Sequence, residues 1–235
     1  MNSKKITCSL VFNFLIVVLT AKGFMRDIFE NFKDSLLDKN EPSIFLQFRF
    51  YTILTNLILA IVAIIFIVYD FLLIRKINKI PNWLIVLKMC ATTGTTITMF
   101  VVCFILFPGA LAGFSKVGLG FAFSGTSKYY HIFTPILGIL TFILFETNRD
   151  IKLVNCCFGM IFTELYSIFY IVESLTHFLP SSGPLSHDWY SFVSLVGYDL
   201  IFPMMIVFAG FAFLITWLLW LGNRKIHILE KTATK

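Results

Sequence analysis

A chain of 235 residues that is 58% hydrophobic and only 14% charged, with a mean hydropathy of +0.86, is excluded from the ordinary soluble domains. A water-facing surface usually needs about a quarter of the residues charged. The net charge of +6 is concentrated at the flanks of apolar runs, where basic side chains face anionic headgroups, and it gives no reason to expect nucleic acid as a partner.

A bilayer core about 30 Å thick takes about 20 apolar residues in a helix rising 1.5 Å each. Six runs approach or exceed that length, at 6–23, 44–74, 84–107, 129–146, 153–177 and 193–221; the second contains the unbroken apolar block 57–69. The runs are too long for barrel strands and lack their alternation. A spanning helix satisfies its own backbone polar groups, as lipid requires. The expected fold is all-α: a polytopic membrane protein, residues 1–235 forming one domain, a bundle of about six transmembrane helices.

The first run follows Lys4 and Lys5 and ends near Leu19-Thr20-Ala21-Lys22, so it reads as a retained helix or as a secretory signal peptide. Basic residues set the orientation. Lys4, Lys5, Arg75, Lys76, Lys79, Arg149, Lys152 and the basic tail after Leu221 all fall on the side of the amino terminus, and 178–189 on the opposite side has no Lys or Arg. The expectation is a cell-membrane protein with both termini cytoplasmic and with 26–41 as an outer loop. Cys8, Cys90, Cys103, Cys156 and Cys157 form no CxxC pair and have no His at ligand spacing, so neither a metal site nor a cofactor is expected, and Cys within a span acts as a small hydrophobe. The glycine-rich stretch 109–125 contains Gly118-Leu119-Gly120 but lacks the strand-turn-helix context of a nucleotide motif and reads as a flexible or re-entrant outer loop.

Polar residues are costly to bury within a membrane and therefore informative. Thr52, Thr55 and Asn56 enter the second span at i, i+3 and i+4, on one helix face. His131 and Thr134 share a face at the start of the fourth, just before Pro135. The fifth carries Tyr166, Tyr170, Glu173 and His177 as a polar stripe with Glu164 deeper, and the sixth starts near Tyr198 and Asp199. Antiparallel spans place Thr52, Thr55, Asn56, His131, Glu173, His177 and Asp199 at one depth in the outer half. Lys88, inside the third span, stands apart from them. Thr and Asn also serve as packing glue between membrane helices, and Glu173, His177 and Asp199 at the interface also fit simple contact with water.

The stretch Phe50-Tyr51-Thr52-Ile53-Leu54-Thr55-Asn56-Leu57 resembles the F-T-x-x-S-N-L segment of the bacterial Pr-six-Pr family of six-helix membrane proteins. His131-Ile132-Phe133-Thr134-Pro135 is similar to that family's H-x-x-x-P, and Asp188-Trp189-Tyr190-Ser191-Phe192 to its W-Y-x-x-F loop. That family in turn resembles the androgen-induced (FAR-17a-like) integral membrane hydrolases, which split fatty acid esters of hydroxy fatty acids with a Thr nucleophile and a His partner. The resemblance implies Thr52 as nucleophile and His131 as base, although His and Pro here are four residues apart where the hydrolases have five, and Thr55 is a rival to Thr52. In that chemistry Asn56 is a candidate oxyanion donor, and Asp199 or Glu173 a candidate partner for the imidazole. The partner would be a membrane lipid or lipophilic small molecule. The alternative is a membrane transport or substrate-binding subunit without catalytic activity, its polar cluster serving as a ligand or proton site.

Overall fold

The computed structural model describes residues 3–37, 48–77, 79–106, 125–146, 151–176, 190, 193 and 197–233. Six helices follow in order and no strand occurs among the described residues. They are α1 (Ser3–Leu37), α2 (Tyr51–Ile74), α3 (Asn82–Phe100, with a π-helical end Val101–Leu106), α4 (Tyr129–Phe145), α5 (Leu153–Thr176) and α6, which opens with the 3-10 turn Tyr198–Leu200 and runs Ile201–Ala233. All but α4 are long and apolar enough to cross a membrane. α1 continues as helix to Leu37, past Gly23 and through much of the stretch expected as a loop, and α6 continues to Ala233. His177, residues 109–124, and Asp188, Trp189, Ser191 and Phe192 lie outside the described residues.

Large apolar side chains cover the outside. Ile61, Ile64, Val68 and Phe71 on α2 are each about half exposed or more, and Phe202 and Ile206 on α6 are 77% and 74% exposed. In water such continuous apolar faces would drive association; in a bilayer they are the solvated surface. Polar groups gather inside instead, among them Ser9, Asn13, Asn56, Asp70, Lys88 and four consecutive-turn threonines of α3, Thr92, Thr93, Thr95 and Thr98. Together the six helices make a multi-pass membrane bundle.

α3 is the central helix. Half of its most apolar stretch is buried, against one third or less in the other four long helices, and it packs on α2, α4, α5 and α6. Most of its threonines are buried at little cost because their hydroxyls donate to carbonyls of their own helix: Thr93 to Met89 O at 2.9 Å, Thr95 to Thr92 O at 3.1 Å, Thr98 to Thr95 O at 2.7 Å; the Thr92 hydroxyl has no such acceptor. Small residues set how closely the helices approach, as is usual where lipid gives no hydrophobic drive for association. A Cβ on Gly94 would stand 2.7 Å from Thr55 Cγ2, and one on Gly159 of α5 2.0 Å from Thr216 Oγ1 of α6.

α1 belongs to the packed bundle. Ser9, Asn13 and Ile16 have no exposed surface, so removing this helix as a leader would open the core. Lys5 of α1 forms an ion pair with Glu230 of α6, which puts the start of the first helix and the end of the last at one end of the bundle. That end is called proximal below and the opposite end distal. α2 stops at the proximal end in a Schellman motif: the N–H of Ile77 donates to Leu72 O and that of Lys76 to Leu73 O, each at 3.0 Å, with Lys76 at φ 56°.

Candidate functional site

At the distal end helix α4 lacks one backbone N–H. α4 begins as a π-helical turn, Tyr129–Phe133, closed by the N–H of Thr134 donating to Tyr129 O. In that register residue 135 would donate next, to Tyr130 O, but residue 135 is Pro and has no N–H. A buried carbonyl without a donor is expensive. Asn56 of α2 supplies the donor: its Nδ2 gives one hydrogen bond to Tyr130 O at 3.2 Å and one to Thr52 O at 2.8 Å, while its Oδ1 accepts from the Thr134 hydroxyl. Thr134 Oγ1 lies 2.9 Å from Tyr129 O as well.

One amide nitrogen thus binds a carbonyl on each of two helices. Since Nδ2 is 2.8 Å from Thr52 O and 3.2 Å from Tyr130 O, those carbonyls are no further apart than the sum of the two distances. The turn bearing His131 is thereby held against the first turn of α2 at the level of Thr52. His131 is buried at 7% exposure and Thr52 half-buried. Asn56, 0% exposed, has both amide hydrogens committed to carbonyls, so its part here is to position the two helices. Thr55 donates to Thr52 O at 3.1 Å and packs its methyl over Gly94. Room for Tyr130 comes from Gly23 of α1, where a Cβ would lie 2.8 Å from the ring.

Above Thr52 stands Tyr190. Phe50, the N-cap of α2, offers no side-chain cap, and the first N–H groups of a helix need acceptors from elsewhere. The N–H of Tyr51 donates to the Tyr190 phenol oxygen at 3.0 Å, and both the backbone and hydroxyl of Thr52 lie in hydrogen-bonding range of the same oxygen. Burial of that hydroxyl pushes the Tyr190 phenol above its ordinary range, although the ring itself is 44% exposed. Tyr51 in turn shares a 2.9 Å hydrogen bond with Thr163 of α5, and Tyr166 donates to Arg49 O at 2.5 Å. These contacts fasten α5 to the head of α2.

The other expected site residues sit differently. Glu173 is half-buried near the distal end of α5, and Asp199 is exposed in the 3-10 turn that opens α6. The structure therefore brings the turn bearing His131 against the face of α2 that carries Thr52 and Asn56, turns Thr55 to α3 and leaves Asp199 on the surface.

A second buried polar group lies in the proximal half and was only hinted at by the sequence. Lys88 of α3 and Glu146 at the end of α4 form an ion pair at 3.5 Å with both side chains 0% exposed. Asn13 of α1 donates to Glu146 Oε1 at 2.8 Å and accepts from Lys88 Nζ, and Ser9 donates to Glu146 Oε1 at 3.5 Å. Asp70 of α2, also 0% exposed, lies within Coulombic range of both Lys88 and Glu146. The ammonium also stands 5.1 Å from the centre of the Phe66 ring. Glu146 reaches this depth because α4, a helix of at most 17 residues, spans only about 25 Å. Asn223 of α6 then caps it, donating to Phe142 O at 2.6 Å and Glu146 O at 3.1 Å. A readable signal was present: Asp70, Lys88 and Glu146 fall at one predicted depth on three antiparallel spans.

No protein-family model, curated protein or solved structure matches this chain. Its class rests on the fold: an all-α, multi-pass membrane protein with one buried polar cluster near each end of the bundle.

Proposed function

We propose that the protein is a member of the Pr-six-Pr-like membrane families and hydrolyses lipid esters, with Thr52 as nucleophile and His131 as general base. The observation that carries this reading is the double hydrogen bond of Asn56 Nδ2 to Thr52 O and Tyr130 O, which supports the approach of the two residues that the family resemblance singles out. A Thr hydroxyl is a weak nucleophile and needs a base within hydrogen-bond reach. In this reading His131 takes the Thr52 proton as Oγ1 attacks the ester carbonyl, then delivers it to the leaving alkoxide, a contribution of about 10²–10⁴-fold. The acyl-threonine is then hydrolysed by water that His131 deprotonates. The acyl chain lies among apolar helix faces, and the carbonyl meets Thr52 at the distal end, which faces outward in a cell membrane with both termini cytoplasmic.

The test is hydrolysis of a fluorogenic long-chain fatty ester by the purified protein in lipid nanodiscs. Thr52→Ala and His131→Ala should each abolish turnover while keeping the wild-type unfolding temperature, and Thr52→Ser should retain part of it. Undiminished turnover in either alanine variant refutes the assignment. The buried ionic group of Asp70, Lys88 and Glu146 favours a second reading, a transport or substrate-binding subunit, because such groups mark ion and substrate pathways in membrane bundles. Uptake of a lipophilic solute into proteoliposomes without ester cleavage would select it.

A further inference from the structure

We propose that the proximal cluster is an intramembrane proton-binding site, in which Asp70 carries the exchangeable proton beside a standing Lys88–Glu146 ion pair. Three helices bring two carboxylates and one ammonium into a space where Asp70, Lys88 and Glu146 are all 0–1% exposed. Fully ionised, that group holds one net negative charge in a medium that solvates it poorly, and a buried charge is tolerated only when paired and hydrogen-bonded.

The three side chains are not equivalent. Glu146 Oε1 receives Asn13 at 2.8 Å, Ser9 at 3.5 Å and Lys88 at 3.5 Å, and Lys88 also donates to Asn13. Neither oxygen of Asp70 accepts a hydrogen bond of good geometry, and Ser9 is the hydroxyl near enough to reach its carboxyl. The groups facing Asp70 are Ser9 from α1, Lys88 from α3 and Glu146 from α4; the Lys88 ammonium is directed to Glu146 and Asn13, and the neutral Ser9 hydroxyl also stands 3.5 Å from Glu146 Oε1. The ammonium is thus spent on Glu146 and Asn13, and Asp70 is the carboxylate left to take up a positive charge.

A proton fits this place better than a metal ion. Na⁺-like and Ca²⁺-like hard cations need about six oxygen ligands, whereas the carboxylate oxygens of this group not held by a hydrogen bond of good geometry are the two of Asp70 and Oε2 of Glu146, and an ammonium stands among them. In the exchange step a hydronium ion transfers its proton to one Asp70 oxygen, leaving water and a neutral carboxylic acid. Asp70 lies four residues before Ile74 at the proximal end of α2, about 6 Å along the helix, so the proton comes from the side on which the chain's described ends lie. The site shares no residue with Thr52 or His131, so its failure and that of the hydrolase reading are separable.

Infrared spectra of the full-length protein in nanodiscs at neutral pH decide the matter. The wild-type minus Asp70→Asn difference should contain the C=O stretch of a protonated carboxylic acid, shifting in D₂O. Asn is isosteric with the neutral acid, so Asp70→Asn should also keep the wild-type unfolding temperature, whereas Lys88→Met should not. A difference spectrum containing only carboxylate stretches overturns the proposal. So does unfolding that NaCl delays relative to choline chloride in the wild type and not in Asp70→Asn, since the site would then hold a metal cation.

Discussion

Replacing Asn56 with Leu removes the group that joins α2 to α4 without opening a large cavity, and its cost follows from the fate of each partner. Thr52 O is the least affected, because the α-helical ladder of α2 supplies it with a backbone donor. The Thr134 hydroxyl keeps its contact with Tyr129 O at 2.9 Å and loses one interhelical bond, worth about 0.6 kcal/mol in membrane bundles. Tyr130 O loses its donor outright, because Pro135 has none to offer. A buried acceptor left unsatisfied costs about 1–3 kcal/mol, so the expected loss is about 2–3 kcal/mol. The cause can be isolated by giving the N–H back: Pro135→Ala in the Asn56→Leu background should recover about 1 kcal/mol, although Pro135→Ala alone gains little. Equilibrium unfolding in mixed micelles, run on wild type, both single variants and the double, measures the coupling as a cycle. An Asn56→Leu protein as stable as wild type, or a double variant no better than Asn56→Leu, would refute the account of Asn56 as the stand-in donor for a proline.

Two further outcomes are expected. Lys88→Met strands Glu146 without its cation and should cost about 3–5 kcal/mol, with most of it restored in Lys88→Met/Glu146→Gln, where no charge is left unpaired; the same unfolding titration checks it, and a double variant as unstable as the single would show the pair to be unimportant. Gly159→Val should separate α5 from α6, since even a Cβ there would stand 2.0 Å from Thr216 Oγ1, which also shares a 3.0 Å hydrogen bond with Thr93 of α3. A loss of about 1–3 kcal/mol is expected from such overpacking, and an unchanged thermal midpoint would mean the helices are not in contact there.

Much of the architecture was legible in one dimension. The number of helices, their antiparallel order and their outward apolar faces all follow from a single local preference: a backbone crossing hydrocarbon must bond to itself, and side chains facing lipid must be apolar. The helix ends were less legible. α1 outlasts its apolar run because Met25 to Leu37 can stay helical beyond the hydrocarbon, where hydropathy carries no instruction. The grouping of Thr52, Thr55 and Asn56 on one face was likewise readable, since it needs only the 3.6-residue turn. Which groups those residues touch was not, because it depends on how α2 and α4 are rotated about their axes, and that depends on close approach at Gly23, at Gly94 and at Gly138 of α4, where a Cβ would stand 3.2 Å from Leu59 Cδ2 of α2. The role of Asn56 depended on a proline 79 positions away in the chain acting on the π-helical turn beside it. Asp70, Lys88 and Glu146 each appeared in the sequence as a charge near the end of an apolar run. Only the packing of four helices turned them into one buried group, because sequence reveals the cost of placing a charge in a membrane, and tertiary structure alone supplies the partner that offsets it.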